Sequence, residues 1–268
     1  PPNGPSLGAQ SQSSVSGQPS GAAKSTAETN QPADPTKSSS SPVSSPSTST
    51  PSTENANADS DQNVAPSDGA EPLTGELAVV VQRYGAQLNG GAELHARFAS
   101  EHLARHAEVE VLTTCAKDYI TWRNEFEPGL DEVNGLSVRR FPVSQERNPD
   151  EFGKRSARVF HKTHSIADEL RWLDSEGPTS PDLIRYIQQH KTSYDYFIFF
   201  SYRYYHAYYG IREVRNRSVL VPTAERDPAL GLSIFGPTFR SVRAIMYNSF
   251  EERALIQRIA ANQKVPML

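Results

Sequence analysis

Hydrophobic and polar positions along residues 73–268 alternate between two kinds of stretch, one typical of buried strands and the other of amphipathic helices. Residues 77–82, LAVVVQ, are almost continuously apolar, which predicts a strand that is covered on both faces. A pattern of helical period follows over roughly 90–106, and VEVLTT at 109–114 predicts a second strand. Together these elements predict a βαβ unit.

The remainder of this region continues the same alternation. The pattern predicts further strands at 136–143, 194–200, 218–222 and 244–249, and helices at 150–175, 181–191, 203–215 and 249–261. Residues 115–135 interrupt it with aromatic, charged and turn residues, which predicts a long functional or flexible loop. About six strands with helices between them predict an α/β fold, a Rossmann-like doubly wound parallel sheet.

Residues 1–72 differ in composition from the body at 73–268. Ser, Thr, Pro, Gly, Ala and Asn dominate them, and they contain no aromatic residue, which predicts a disordered tail or linker. The tail carries two lysines against seven acidic residues, a charge of −5, so the body is near +1 and the total is −4. A neutral body excludes the one-sided positive field of a nucleic-acid binder and indicates a small ligand.

Targeting and redox signals are few. No run approaches the ~20 apolar residues that span a bilayer, and residues 1–30 lack the pattern of a signal peptide. The single cysteine, Cys115, follows a predicted strand, which favours a buried apolar role and a reducing compartment. Because the chain starts at Pro1 rather than Met and stops at NQKVPML, where the pattern indicates the start of a new segment, we expect a fragment at both ends.

Two consecutive glycines, Gly90 and Gly91, lie in the segment that connects the first predicted strand to the first predicted helix. Glycines there allow the backbone to approach a phosphate at a helix N-terminus, and they equally allow a tight turn, so the spacing alone leaves both explanations open. The spacing of Gly85, Gly90 and Gly91 is not that of the dinucleotide fingerprint, and the chain has no Walker-type motif. Nicotinamide-dependent chemistry and simple NTP hydrolysis are therefore disfavoured.

The segment GGAELHARFASEHLARHAEVEVLTT, with the strand before it, resembles the N-terminal, acceptor-side domain of the GT-B glycosyltransferases of family 4. The segments YDYFIFFSYRYYH, LVPTAERDP and IMYNSFEER follow in the order that the family predicts, so the resemblance covers residues 77–268. It implies retaining transfer of a sugar from a nucleotide-sugar donor to a glycan or lipid-linked acceptor, with no cofactor and no metal. It also implies that Gly90 and Gly91 present backbone N–H groups to the diphosphate of the donor.

The resemblance also implies a set of residues that line the acceptor side of the cleft. They are Glu93, His95, Tyr202, Arg203, His206, Glu225, Arg226 and Asp227. The family often carries histidines after the strand that ends near Phe200, whereas this chain has SYRYYH there, so the histidine role is not carried over. No catalytic acid–base residue is assigned.

Each of these assignments has a structural alternative. Glu93 stabilises the helix dipole, most of the tyrosines at 202–209 pack a helix on the sheet, and the charges at 225–227 form a salt-bridged loop. His95, His102 and His106 share one helix face, but partly buried, hydrogen-bonded histidines are favoured over a zinc site.

The resemblance divides the chain into a linker at 1–72 and a glycosyltransferase-like domain at 73–268, with the donor-binding domain absent. We therefore expect the chain to fold and to transfer sugar poorly on its own. The expected location is cytoplasmic, with peripheral contact at the inner face of the membrane left open. The alternative function is a non-catalytic Rossmann-like binding or interaction module.

Overall fold

A computed structural model of the protein describes residues 75–260. The predicted disordered tail at 1–72 lies outside these residues. The strands are β1 (Glu76–Val80), β2 (Glu108–Thr114), β3 (Gly129–Val133), β4 (Leu136–Phe141), β5 (Tyr196–Phe200), β6 (Ser218–Val221) and β7 (Ala244–Ile245). The helices are α1 (Gly91–Leu103), α2 (Pro149–His161), α3 (Ile166–Glu176), α4 (Pro181–Gln189), α5 (Tyr205–Glu213), α6 (Phe235–Ser241) and α7 (Phe250–Ala260), with 3₁₀ turns at Arg215–Arg217 and Pro228–Gly231.

The strands form one sheet in the order β3-β4-β2-β1-β5-β6-β7. All neighbouring pairs are parallel except β3 and β4, which form an antiparallel hairpin at one edge. Without β3, the order is that of the Rossmann fold, in which the first strand lies at the centre and successive strands are added to one side and then to the other. The predicted α/β, Rossmann-like parallel sheet is confirmed.

Both faces of the sheet are buried, which explains the continuous apolar run of β1. Ala78 and Val80 pack into a core with α2 to α7, whereas Val79 and Val81 pack on the opposite face with Ala96 of α1. Successive side chains of a strand point to opposite faces, so an uninterrupted apolar strand serves two cores at once. The first strand is therefore fixed at the middle of the molecule, with its carboxyl end directed at the start of α1.

The structure differs from the predicted elements in three main places, one of which is the helix α6 (Phe235–Ser241), where no element was predicted. The single helix predicted at 150–175 is two helices, because Ser165 begins α3 with a reciprocal capping box to Asp168. The loop predicted at 115–135 contains β3, which turns into β4 through Asn134 and Gly135, both with positive φ (53° and 80°). An Asn-Gly pair is the preferred sequence for such a two-residue hairpin turn.

Candidate functional site

An open cleft of about 720 Å³ lies at the carboxyl edge of the parallel strands. Its walls come from the segments after β1, β5 and β6 and from the first turns of α1 and α7, with Tyr119 from the loop after β2. The lining side chains include Gln82, Arg83, Gly90, Gly91, Glu93, His95, Ser201, Arg203, Thr223, Glu225, Asn248 and Glu252. The cleft spans the position between β1 and β5 where the strand order reverses, and open α/β sheets bind their ligands there.

The N-terminus of α1 faces this cleft without a side-chain cap. Gly90 is the N-cap residue, in extended conformation (φ −66°, ψ 147°), and makes no side-chain cap hydrogen bond. Its carbonyl accepts the first helical bond from the N–H of Leu94 at 2.8 Å. The N–H groups of the first turn have no partner within a helix and carry the positive end of its dipole. This end of the cleft can therefore bind an anion.

The two glycines have different surroundings. A Cβ added to Gly90 would lie 2.8 Å from Cδ of Glu93 and closer still to Oε2, so a side chain at this position is excluded by the protein itself. A Cβ added to Gly91 would meet no heavy atom within 4 Å. Packing thus explains the glycine at position 90, whereas nothing within the described protein requires one at position 91.

The carboxylate that excludes a side chain at Gly90 is held in a buried ion pair. Arg83 donates from Nε and Nη2 to Oε1 of Glu93, at 2.8 and 2.6 Å, and from Nη1 to the carbonyl of Lys117 at 2.7 Å. The Arg83 and Glu93 side chains are 10% and 7% exposed. The pair joins the end of β1 to the first turn of α1, and its opposite charges leave this part of the cleft close to neutral.

The ends of β5 and β6 meet in the cleft through two residues with left-handed backbone. Ser201 has φ 66° and Thr223 has φ 48°, and their hydroxyls lie 2.8 Å apart in a hydrogen bond. Positive φ is unfavourable for a β-branched residue such as threonine, and residues of this kind cluster at functional sites. The two turns therefore hold hydroxyl groups at the centre of the carboxyl edge.

Arg203 lines the cleft and also belongs to a network of charged side chains with Glu176 and Asp227. Its Nε lies 2.7 Å from Oε1 of Glu176 and its Nη1 3.4 Å from Oδ2 of Asp227. The other oxygen of Glu176 accepts from Arg147 at 2.9 Å. Because Glu176 and Asp227 face Arg147 and Arg203, the network is neutral as a whole, and the guanidinium of Arg203 already has carboxylate partners.

The structure places six of the ten predicted site residues along the cleft. They are Gly90, Gly91, Glu93, His95, Arg203 and Glu225. The remaining four, Tyr202, His206, Arg226 and Asp227, are not among its lining residues.

Three of those four have structural roles of their own. Tyr202 is 1% exposed, packs on Phe235 and Phe239, and donates to Asp227 at 3.1 Å. Asp227 also accepts from the N–H of Ala229 at 2.6 Å and so caps the 3₁₀ turn that follows it. These two residues support the strand end from behind the cleft. The fourth residue with no place on the cleft, Arg226, is exposed at the surface.

His206 is fully buried in α5, where its Nε2 lies 2.8 Å from the carbonyl oxygen of Phe200. Burial lowers its pKa to about 4, against the opposing effect of that backbone hydrogen bond. The side chain is therefore neutral near pH 7, and it joins α5 to the end of β5.

The described residues form neither a metal-binding cluster nor a reactive thiol site. Within residues 75–260, no three His, Cys, Asp or Glu side chains are grouped so that they could hold a metal ion. Cys115 is buried, and burial raises the pKa of its thiol to about 11, so it is a protonated, packed side chain. In the same part of the chain, no helix combines the length and apolar character that crossing a membrane requires.

Several cleft residues were not predicted from the sequence. They are Gln82, Arg83, Tyr119, Ser201, Thr223, Asn248 and Glu252. Gln82, Arg83, Ser201 and Thr223 each follow an apolar strand within three residues, and this position at the carboxyl edge was the available signal. Glu252 follows Ser249 at the spacing of a capping box, and it accepts from the N–H groups of Asn248 at 2.6 Å and of Ala224.

Comparison with known proteins gives structural neighbours only. No family model and no curated protein matches the chain. Sucrose-phosphate synthase from Thermosynechococcus elongatus is similar over 72% of this chain and 47% of its own, with 11% identity and a TM-score of 0.41. The E. coli trehalose-6-phosphate structure, bound with UDP-2-fluoro glucose, is similar over 70% and 43%, with 15% identity and a TM-score of 0.36. The chain spans less than half the length of either, and neither likeness assigns it an activity.

Proposed function

We propose that the cleft binds the diphosphate of a nucleotide-sugar donor at the N-terminus of α1, and that the chain is the acceptor-side domain of a GT-B glycosyltransferase of family 4. The observation that carries the proposal is Gly91, which lines the cleft at an uncapped helix start and has open space where a side chain would be. A ligand that approaches the backbone closely explains that glycine, since packing does not.

The proposed chemistry follows from the groups at this helix end. When the sugar leaves the donor, negative charge develops on the nucleoside diphosphate. The N–H groups of Gly91, Ala92 and Glu93, together with the helix dipole, stabilise charge at this position without rearrangement. The buried Arg83–Glu93 pair fixes the first turn of α1 against β1 and so keeps these donors in place. A metal ion is not needed for this step, in keeping with the resemblance.

The volume and lining of the cleft also fit a sugar. At about 720 Å³ it lies within the ~300–1,000 Å³ range of small-molecule sites. Its lining includes the hydroxyls of Ser201 and Thr223 and the carboxylate of Glu225, and such groups hydrogen-bond sugar hydroxyls. Retention of anomeric configuration and a glycan or lipid-linked acceptor are carried from the family resemblance. In the same proposal a second domain holds most of the nucleotide, and this chain alone binds a donor weakly, through its diphosphate.

The alternative, a binding module that presents a tyrosine-rich edge, draws little support from the tyrosines. Tyr202 and Tyr208 are buried, and Tyr209 donates to Asp174 at 3.1 Å. Of the tyrosines at 202–209, the cleft is lined by Tyr204 alone. A partner that docks on this edge would therefore find few exposed aromatic rings in the described residues.

Calorimetric titration of the chain with UDP-glucose, GDP-mannose and ADP-glucose tests the proposal. We expect at least one to bind, and the Gly91→Val variant to lose at least tenfold in affinity with an unchanged melting temperature. Gly153→Val is the matched control, because a Cβ at Gly153 of α2 also meets no heavy atom within 4 Å and Gly153 does not line the cleft. Equal binding by both variants, or no binding of any donor, would refute the proposal.

A further inference from the structure

The cleft has a second end, away from α1, which is formed by the segment after β6 and the residues just before α7. Glu225 follows β6, and Asn248 and Ser249 precede α7. Since β6 lies two strands from β1 in the sheet, this end is roughly 10 Å from the helix start at Gly91. A group bound here is therefore distinct from the phosphates proposed at α1, and it lies where an acceptor would meet a donor sugar.

Some of the charged side chains that line the cleft have a partner of opposite charge and others do not. Two arginines and three glutamates line it: Arg83, Arg203, Glu93, Glu225 and Glu252. Both arginines already face carboxylates, Glu93 for the first and Glu176 with Asp227 for the second. Neither arginine among the described lining residues is therefore free to hold an anionic acceptor.

The glutamates differ in the same respect. Glu93 is paired with Arg83, and Glu252 accepts from two backbone N–H groups, at Ala224 and Asn248. Within residues 75–260, no hydrogen bond or ion pair engages the exposed carboxylate of Glu225. This end of the cleft thus presents a free negative charge, which attracts hydroxyl donors and repels phosphate.

Neutral polar groups at the neighbouring strand ends line the same cleft. The hydrogen-bonded hydroxyls of Ser201 and Thr223 lie at the ends of the neighbouring strands, and both residues hold unfavourable left-handed backbone to place them there. Gln82 lines the same cleft, is 2% exposed, and its Oε1 has no hydrogen-bond partner in the described protein. That oxygen is closed to solvent, so the groups of this part of the cleft that can face a ligand are the two hydroxyls and the Glu225 carboxylate.

Resting on the function proposed above, we infer that the acceptor is an uncharged, hydroxyl-rich sugar, held through Glu225 and the Ser201–Thr223 pair. The site discriminates against sugar phosphates, because the carboxylate of Glu225 would face the phosphate and both arginines that line the cleft are already paired with carboxylates. Glu225 is the specificity-determining residue, and reversal of its charge reverses the preference.

Binding of the fluorescently labelled chain to an array of neutral and phosphorylated glycans tests this inference. We expect the chain to bind neutral glycans. Glu225→Gln should lose roughly tenfold in affinity, as for the loss of a hydrogen bond to a charged group, and Glu225→Lys should gain binding to phosphorylated glycans. Glu108→Gln is the control, because Glu108 is an exposed glutamate that begins β2 at the opposite edge of the sheet.

Preference of the unmodified chain for phosphorylated glycans, absence of binding to any neutral glycan, or equal affinities in the Glu225→Gln and Glu108→Gln variants would overturn the inference. A parallel titration with inorganic pyrophosphate separates the two proposals. Binding of pyrophosphate that is weakened by Gly91→Val and unaffected by Glu225→Gln reports the donor end alone, so either end can fail without the other.

Discussion

Arg83 donates two hydrogen bonds to one oxygen of Glu93, at 2.8 and 2.6 Å, and this bond pair joins the end of the central strand to the first turn of α1. The same carboxylate occupies the place of a side chain at Gly90. One ion pair therefore determines both the position of the helix start and the residue type at its N-cap. The orientation of the proposed phosphate site depends on it.

Removal of the charge of Glu93 should destabilise the domain strongly. In Glu93→Gln, the guanidinium of Arg83 stays buried without a carboxylate, which costs about 3 kcal/mol of unfolding free energy. Chemical denaturation measures this change. Glu151→Gln is the control, because the Glu151–Lys154 pair is exposed on both sides and solvent screens such surface pairs, so that they contribute little to stability. Similar unfolding free energies for the two variants would contradict the role given to the buried pair.

Alanine at the two consecutive glycines should give opposite results. Gly90→Ala places a Cβ on the Glu93 carboxylate, so we expect a loss of about 1–3 kcal/mol in unfolding free energy, typical of overpacking. Gly91→Ala meets open space in a helical position, so its unfolding free energy should be unchanged or higher by up to about 1 kcal/mol. Thermal or urea unfolding of the two variants decides the matter, and an equal loss at both positions would show that Gly91 is also required by packing.

His206 should make stability depend on pH in a defined window. Its pKa in the fold is about 4, below the ordinary value of 6.5, so the unfolded chain binds more protons between these values. The contribution of the neutral ring is fully present above pH 6.5 and is lost as the pH falls toward 4. His206→Gln keeps a donor for the carbonyl of Phe200 and removes the titration, so its unfolding free energy should fall less steeply in this window. Parallel curves for the variant and the parent would contradict the assignment.

The stability of the β3–β4 hairpin at the sheet edge should depend on Gly135. This residue has φ +80°, and an alanine there costs about 1–2 kcal/mol because its Cβ disfavours left-handed backbone. Gly231→Ala is the matched control, since Gly231 also has open space around its Cα and no positive φ. Urea denaturation of both variants tests the difference, and a neutral Gly135→Ala would mean that the turn relaxes to another conformation.

Much of this fold follows from local patterns in the sequence. The apolar run of β1 and the helical period of α1 are strong signals, because burial on two faces and on one face leave different spacings. The hairpin of β3 and β4 was missed although Asn134–Gly135 marks it, since aromatic and charged residues around it obscured the strand alternation. The break at Ser165 was missed because its capping box lies inside a continuous helical period.

The candidate site was less accessible to sequence reasoning. Gly90 and Gly91 were found as a pair, but only the position of the Glu93 carboxylate separates their roles. His206 and Tyr202 are chemically suited to a cleft, yet α5 turns them into the core, where His206 meets the carbonyl of Phe200 and Tyr202 packs on Phe235. The direction of a side chain at a strand end depends on contacts that are distant in sequence, such as the 2.8 Å bond between Ser201 and Thr223.

The central claim is that backbone N–H groups at the start of α1 bind a donor diphosphate. The most direct measurement is the change in amide ¹⁵N and ¹H shifts of the labelled chain on titration with UDP-glucose, GDP-mannose and ADP-glucose. We expect the amide shifts of Gly91 and Ala92 to change saturably with at least one donor, whereas the amide shift of Gly135, at the distant hairpin, stays unchanged. Saturable binding that leaves the amides of Gly91 and Ala92 unshifted, or no binding of any donor, would contradict it.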